Sequence, residues 1–424
     1  MSKRLIKFKP SKYIPYPDTK DYDFQKIISV KKEFQYTYDS SEKSCDSTKF
    51  MLQPHQEFVK RFISPNTHYN GLLMFHGLGS GKTCSAIGIC EETRKNLKYN
   101  KNFKKILIIA SPNVQKNFQL QLFDENKLKK VKNQWFLEGC LGSSLLDEIG
   151  IYTNKETSKK DIIKKIKNII KKYYSFVGYI EFSNIIEKKV ENNSLMEEFK
   201  DRLIVIDEIH NIRTNEEDQG EFQKVATNLE LLVKKVKHMK LLFLTGTPIF
   251  NKPEEIIFIL NILNINDRKP KMKKSLIFDK NGVLKEKGED NLIILSNGYI
   301  SYVRGENPYI FPHLVSPKYF DKDHSSQIIE YPRFQFNGKP ILNKVKYIDL
   351  FINSFEVDHF QQICYKNEIK KLEKSTQKFK EIDYISYFKI LLPLQSLNVV
   401  YPYKETYLLG TKGLDYTMDY EYSS

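Results

Sequence analysis

The stretch GLLMFHGLGSGKT, Gly71–Thr83, decides how this chain is read. Leu72–Phe75 is a short apolar run with the length of a buried strand, and it breaks at once into glycines. Gly77, Gly79 and Gly81 allow a tight turn whose backbone N–H groups converge on phosphate oxygens. Lys82 then reaches the β- and γ-phosphates of ATP, and the Thr83 hydroxyl ligates Mg²⁺. The strict phosphate-loop pattern asks for a glycine five residues before Gly81, where this chain has His76. Leu78 and Ser80 complete the loop, so His76–Thr83 is the expected phosphate cradle.

Two further strand ends supply partners for it. Leu203–His210, LIVIDEIH, runs an apolar strand into Asp207 and Glu208. Adjacent carboxylates after a buried strand are costly to desolvate, which points to a chemical role. Asp207 suits Mg²⁺ held through water, and Glu208 suits orienting and deprotonating the attacking water. His210 is placed to link the nucleotide surface to a nucleic-acid surface. Leu241–Phe250, LLFLTGTPIF, sets Thr245 and Thr247 around Gly246, so that both hydroxyls are expected to reach toward the carboxylates. Upstream, Met51–Ile63 reads as helical from Pro54, with Phe58, Val59, Phe62 and Ile63 as its apolar stripe. Gln56 in that helix carries an amide that both donates and accepts, as an adenine edge requires.

Ile106–Ala110 and Phe176–Ile180 are also strand-like, and the five runs alternate with helical stretches. The expected fold is α/β, a doubly wound parallel sheet with its chemistry at the carboxyl ends of the strands. Ser111 and Pro112 follow one such end and open an expected helix, Val114–Phe123. They make either an ordinary turn or a site for a nucleic-acid phosphate. Lys159–Lys172 lines Ile162, Ile163, Ile166, Ile169 and Ile170 along one helical face, with lysines opposite. That helix either packs on the sheet with a solvated face or attracts nucleic acid.

The net charge of +16 over 424 residues and a pI near 9.2 suit an anionic partner, DNA or RNA most simply. Only eight of the 68 basic residues are arginine, and an AT-rich coding sequence would produce the same lysine bias. Cys45, Cys84, Cys90, Cys140 and Cys364 show no C-x-x-C pair, so free thiols in a reducing compartment are expected. No apolar run approaches a membrane span and no signal peptide opens the chain, so the expectation is a soluble, intracellular protein with no membrane partner. By composition the chain divides into an N-terminal arm (1–50), either weakly ordered or partner-binding, and an ATP-binding lobe (51–265). An inserted aromatic and basic subdomain (266–346) and a helical C-terminal region (347–424) follow. In the third of these, GYISYVRGENPYIFP (Gly298–Pro312) reads either as a base-stacking surface around Arg304 or as a small packed subdomain.

Together these motifs resemble the first, RecA-like motor lobe of a superfamily 2 helicase or translocase of the DEAH type. LQPHQ (Leu52–Gln56) resembles the adenine-reading motif, HGLGSGKT (His76–Thr83) motif I and ASPN (Ala110–Asn113) motif Ia. DEIH (Asp207–His210) resembles motif II, and TGTPIFN (Thr245–Asn251) the chromatin-remodelling form of motif III. SYVRGENPYIFP (Ser301–Pro312) and LQSLNVVYP (Leu394–Pro402) resemble segments of the helicase-like ATPases of large nucleocytoplasmic DNA viruses. Those include the poxvirus nucleoside triphosphatase I and the small subunit of the poxvirus early transcription factor. The resemblance implies nucleic-acid-stimulated ATP hydrolysis in viral transcription, a viral RNA polymerase as partner, and a place in the virion or the infected cytoplasm.

Such motors carry arginines on a second lobe, and no arginine follows Arg333 here. The expectation is a chain that stops near the start of that lobe and relies on a second polypeptide. The alternative is a lone lobe that binds nucleotide and nucleic acid without appreciable turnover. Lys82→Ala is expected to abolish ATP binding or hydrolysis with the fold intact. Nucleotide titration and turnover, with circular dichroism as control, check this, and unchanged affinity and turnover would remove the basis for the reading.

Overall fold

The computed structural model describes residues 16–35, 52–77, 79–98, 104–131, 134–142, 144–150, 157–212, 221–249, 253–279, 282–304, 340, 359–376, 387–404 and 406–421. They fall into two units, Met1–Pro312 and His313–Ser424.

In the first unit, α1 (Phe24–Val30), α2 (Lys32–Gln35) and α3 (Pro54–Phe62) precede β1 (Gly71–His76) and α4 (Lys82–Leu97). Next come β2 (Ile106–Ile109), α5 (Pro112–Leu122), the hairpin β3 (Leu128–Val131) and β4 (Gln134–Leu137), α6 (Ser144–Glu148) and α7 (Lys159–Tyr173). β5 (Tyr174–Val177), α8 (Tyr179–Glu191), α9 (Leu195–Phe199) and β6 (Leu203–Ile206) lead to α10 (Glu221–Lys235) and β7 (Lys240–Thr245). α11 (Glu255–Asn266), α12 (Gly288–Ser296) and β8 (Ile300–Val303) close the unit.

Six strands form one sheet in the order β5-β2-β6-β7-β1-β8, and every pairing in it is parallel. The doubly wound α/β expectation holds, for a visible reason: the strands are apolar on both faces. Leu73, Ile109, Ile204, Ile206, Leu241 and Phe243 point into one core with α8, α10 and α11. Their alternates Leu72, Met74, Ile108, Val205, Leu242 and Leu244 point into the other, with α3, α4 and α5. A strand buried on both sides reads as a continuous apolar run. A third, smaller core joins the hairpin to α6 and α7 through Leu128, Leu137, Leu145, Ile162 and Ile166. The lysines of α7 lie outside it, at the surface.

Four expectations need correction. The strand expected at Phe176–Ile180 is Tyr174–Val177, because Gly178 caps α8 and Tyr179 and Ile180 already belong to that helix. The arm is folded over Tyr16–Gln35: Phe24, Ile28 and Phe34 are buried, Phe24 meets the rings of Phe62 and Tyr69, and the Tyr69 hydroxyl donates to Pro17 O at 3.0 Å. The boundary expected near residue 265 falls inside this unit, since Ile300–Val303 is the edge strand of the main sheet beside β1. An edge strand keeps one side toward water, so ISYV lacks the apolar run that betrays a central strand. Lastly, Cys84 and Cys140, 56 residues apart, form a disulfide across a Cα–Cα distance of 5.2 Å. Spacing carries no sign of a pair that α4 and the loop after β4 bring together. Cys90 and Cys364 are buried, and Cys45 lies outside the described residues.

The second unit holds α13 (His359–Thr376) packed on α14 (Tyr387–Asn398). An antiparallel pair follows, β9 (Tyr401–Tyr403) with β10 (Thr406–Leu408), and then α15 (Gly410–Glu421). Buried Glu368 accepts from Lys371 and from the Tyr407 hydroxyl, both at 2.6 Å, and so ties α13 to β10.

Arg94 anchors α4. It is 1% exposed, grips Glu91 with two bonds of 2.7 and 2.6 Å, and reaches Glu148 of α6 at 2.7 Å. The Tyr174 hydroxyl donates to the same Glu91. Removing the guanidinium leaves Glu91 buried without its counter-charge. Arg94→Ala is therefore expected to destabilise the unit by about 3–5 kcal/mol, and Arg94→Lys to recover only part, because an ammonium cannot fork. Urea denaturation midpoints check both.

Candidate active site

All six strands run the same way, so the ends of β1, β6 and β7 lie along one edge of the sheet, with β7 between the other two. The phosphate loop springs from β1. Gly79 and Gly81 have φ of +78° and +76°, where a side chain is strained, and a Cβ on Gly81 would meet Gln56 Nε2 at 2.4 Å. Gln56 Nε2 donates to Gly81 O at 3.1 Å, and His55 Nε2 lies 2.9 Å from Ser80 O. A carbonyl only accepts, so that His55 nitrogen carries the proton. Both carbonyls are thus drawn toward α3. In a trans peptide the N–H points the opposite way, so the amides of Gly81 and Lys82 face away from α3. The Ser80 hydroxyl closes the turn onto Gly77 O at 2.7 Å.

Gln56 is therefore a brace for the loop: its Oε1 accepts from Gln53 N at 2.8 Å while its nitrogen holds Gly81. His76 is placed differently from expectation. It ends β1, is 1% exposed, and its Nε2 is 2.9 Å from Ser301 Oγ of β8, so the ring belongs to the sheet and not to the phosphate cradle. Burial, helped by the charges of His55 and Lys82, pushes its pKa down to about 4 and keeps it neutral. Leu78 lies outside the described residues.

Lys82 Nζ donates to Glu208 Oε1 at 2.9 Å and stands 3.7 Å from Asp207 Oδ1. The ammonium thus ties the end of β1 to the end of β6. Burial raises the Asp207 pKa above the usual carboxylate value; Lys82 opposes this and the charge of Glu208 adds to it. Burial pushes Glu208 the same way but is outweighed by hydrogen bonds from His210 and Lys82, and its pKa falls to about 2. Glu208 sits at φ +46°, a left-handed backbone rarely held by a non-glycine residue and often found at functional sites. Sequence reasoning missed that strain.

His210 and Thr245 meet: His210 Nδ1 is 2.9 Å from Thr245 Oγ1 and 3.2 Å from Glu208 Oε2, so the Thr245 hydroxyl touches the histidine and not, as expected, the carboxylates. Thr245 is fully buried. Thr247 differs from expectation, because its side chain is exposed and only its backbone N–H joins the group, donating to Thr245 Oγ1 at 3.0 Å. Ser111 and Pro112 stand at the N-terminus of α5, after β2 on the same edge, and the Ser111 side chain makes no capping bond. Tyr179 was not singled out by sequence, yet its hydroxyl donates to Asp207 O at 2.7 Å and fixes the turn after β6. His55 was missed too, although its place beside Gln56 in LQPHQ offered a signal.

The donors available for a metal are the Thr83 hydroxyl and the Asp207 carboxylate, hard oxygens that suit Mg²⁺. Among the described residues no group of three or more His, Cys, Asp or Glu side chains could hold a metal ion. Two protein oxygens with water and phosphate oxygens are the usual set for Mg²⁺ that accompanies a nucleotide, and the site fits that ion.

Residues 46–281 match the SNF2-related domain. A "Putative ATP-dependent RNA helicase" of Acanthamoeba polyphaga mimivirus is 30% identical over 317 residues, 71% of this chain and 50% of the relative. A "Putative helicase" of Invertebrate iridescent virus 3 is 30% identical over 220 residues, 50% of this chain and 20% of the relative. The chain thus spans about half the length of the first and a fifth of the second. Among solved structures, the Sulfolobus solfataricus SWI2/SNF2 ATPase core in complex with dsDNA aligns over 82% of this chain and 58% of that one, at 18% identity and a TM-score of 0.36.

Gly81→Ala is expected to cost about 1–2 kcal/mol in backbone strain alone and to displace the Gln56 amide, lowering ATP affinity. Adding Gln56→Ala removes the clash but not the strain, so the double variant should be less impaired than the sum of the two singles. Denaturation and nucleotide titration on the four-member cycle measure this.

Proposed function

Because the chain belongs to the SNF2-related domain family, we propose that it is an ATP-hydrolysing helicase or translocase lobe of a large DNA virus, stimulated by DNA or RNA. The observation that carries this reading is the 2.9 Å contact between Lys82 and Glu208, which sets a phosphate-binding cation and a water-activating carboxylate on one edge of the sheet.

A triphosphate in the loop competes with Glu208 for the Lys82 ammonium. Once Lys82 turns to the phosphates, Glu208 loses one hydrogen bond and one nearby charge of those that hold its pKa at about 2. Its basicity then rises toward what is needed to take a proton from the attacking water. His210 stays on its other oxygen and orients it. Mg²⁺, held by Thr83 and Asp207, would neutralise charge on the phosphate oxygens. The His210–Thr245 contact relays the state of Glu208 to β7, whose exit carries Thr247 on the surface, at the same edge of the sheet as Ser111 and Pro112.

Turnover by the chain alone is expected to be slow. Arg61, Arg94 and Arg202 are paired with glutamates, and Arg268 caps carbonyls at the end of α10. Arg304 follows β8, on the far side of β1 from Asp207 and Glu208. Among the described residues, charge growing on the γ-phosphate is left to Lys82, and an arginine supplied by a second motor lobe is worth about 10³–10⁵ in rate. The resemblance of Ser301–Pro312 to viral transcription ATPases supports a place in viral transcription, beside a viral polymerase in the virion or infected cytoplasm.

Glu208→Gln should bind ATP·Mg²⁺ about as well as wild type and lose hydrolysis, because an amide cannot accept the proton. Wild-type turnover should rise with added DNA or RNA, and that stimulation should fade steeply as salt is raised. Equal loss of binding and turnover in the variant would make Glu208 a residue of the fold. Turnover indifferent to every polynucleotide would leave a plain ATPase. Binding of ATP and nucleic acid with no turnover at all would favour the binding-module reading.

A further inference from the structure

Of the ties that hold the start of α4, one is chemically reversible. Gln56 and His55 hold the carbonyls of Gly81 and Ser80 through hydrogen bonds, whereas Cys84 is joined covalently to Cys140. Cys84 directly follows Thr83, the candidate Mg²⁺ donor, and lies in the first turn of α4 with Lys82.

The other end of the bond is fixed without it. Cys140 follows β4, whose Leu137 packs with Leu145 of α6 in the third core, and Glu148 at the end of α6 is gripped by Arg94 and Lys98, both at 2.7 Å. Breaking the S–S bond therefore leaves the Cys140 segment and the far end of α4 in place and loosens the first turn. A partner also stands ready for the reduced state. Gln121 Oε1 of α5 is 3.2 Å from Cys140 Sγ, within reach of the proton that a thiol carries and a disulfide sulfur lacks. Nor is the bond sealed in the core. Cys84 is half-buried, and Cys140 lines a cavity of about 180 Å³ together with Leu141, Ser144 and Lys95. Cys90, farther along the same helix, is the contrast, fully buried and with its thiol pKa pushed up by that burial.

We propose that, given a loop that binds ATP, Cys84 and Cys140 form a reversible thiol–disulfide site that sets its affinity, the bridged form binding more tightly. The co-reactants are a small thiol and its disulfide. The thiolate attacks one sulfur, the S–S bond breaks, and its electron pair leaves on the other sulfur, which takes up a proton. A second thiol then attacks the mixed disulfide, releasing the remaining cysteine as a thiol and the small disulfide. Two electrons and two protons have passed to the protein, and the small disulfide drives the same steps backward. A bridged first turn leaves the loop less freedom to lose when it closes on the phosphates, so binding is less opposed by entropy.

Nucleotide titration of the full-length chain tests this after glutathione disulfide and after dithiothreitol, with alkylation and peptide mapping to read each cysteine. Cys84 and Cys140 are expected to resist alkylation in the first state and accept it in the second. ATP affinity should fall about three- to tenfold on reduction and return on re-oxidation, the range that ordering one or two more groups on binding produces. Cys140→Ser should show the reduced affinity with or without dithiothreitol. Hydrogen exchange at the first turn of α4 should quicken in that variant and in the reduced wild type, with exchange near Arg94 unchanged. Both cysteines alkylated after glutathione disulfide, tighter binding in the reduced chain, unchanged exchange at the first turn, or a Cys140→Ser variant that still responds to dithiothreitol would each overturn the proposal. Equal ATP affinity in the bridged and reduced chains overturns the redox site alone, whereas no ATP binding in either form overturns the ATP reading with it.

Discussion

The Lys82 ammonium is the contact on which the carboxyl edge of the sheet depends. It stands against Glu208 and close to Asp207, two carboxylates set side by side at the end of a buried strand. Without a cation there, burial would drive both acids toward protonation. With it, Glu208 stays ionised, while Asp207, deeper and less well compensated, has a raised pKa. The strand order makes the contact possible. β7 alone separates β1 from β6, so a lysine on the first turn of α4 can span the gap.

Much of the surrounding structure serves to hold α4 and its loop in place. At its start, Gln56 and His55 take hold of the carbonyls of Gly81 and Ser80, and Cys84 is bonded to Cys140. Toward its end, Arg94 binds Glu91 and Glu148, and Lys98 also reaches Glu148 at 2.7 Å. The helix is therefore tied to the segment from Cys140 to the end of α6 at two points about three turns apart. A loop that must offer several N–H groups to one phosphate gains from such bracing, since disorder in any of them weakens the rest.

From the carboxylates a short polar chain runs on, Glu208 to His210 to Thr245 to the Thr247 amide. A second polar contact leaves β1 in the other direction, from His76 to Ser301 on the edge strand. Both cross between strands at the carboxyl edge of the sheet. A change in Lys82 pairing is felt along the first of these directly, because Glu208 belongs to both contacts.

The sequence by itself determined the parallel sheet and which polar residues follow its strands at their carboxyl ends. Central strands buried on both faces must be continuous apolar runs, and glycines, lysine and paired carboxylates after such runs have few structural uses. Gly79 and Gly81 are legible because their backbone conformation admits little else, and Asp207 and Glu208 because buried charge is expensive. Tertiary structure alone decided what pairs with what. The edge strand Ile300–Val303 was hidden because half-exposed residues alternate and give no run. Cys84 and Cys140 were hidden because a disulfide depends on distance in space, and His76 because a ring between two strands looks the same in sequence as one in a loop. The contacts of Thr247 and Gln56 were hidden too, since hydrogen-bond direction follows from backbone orientation, and only the folded chain sets that.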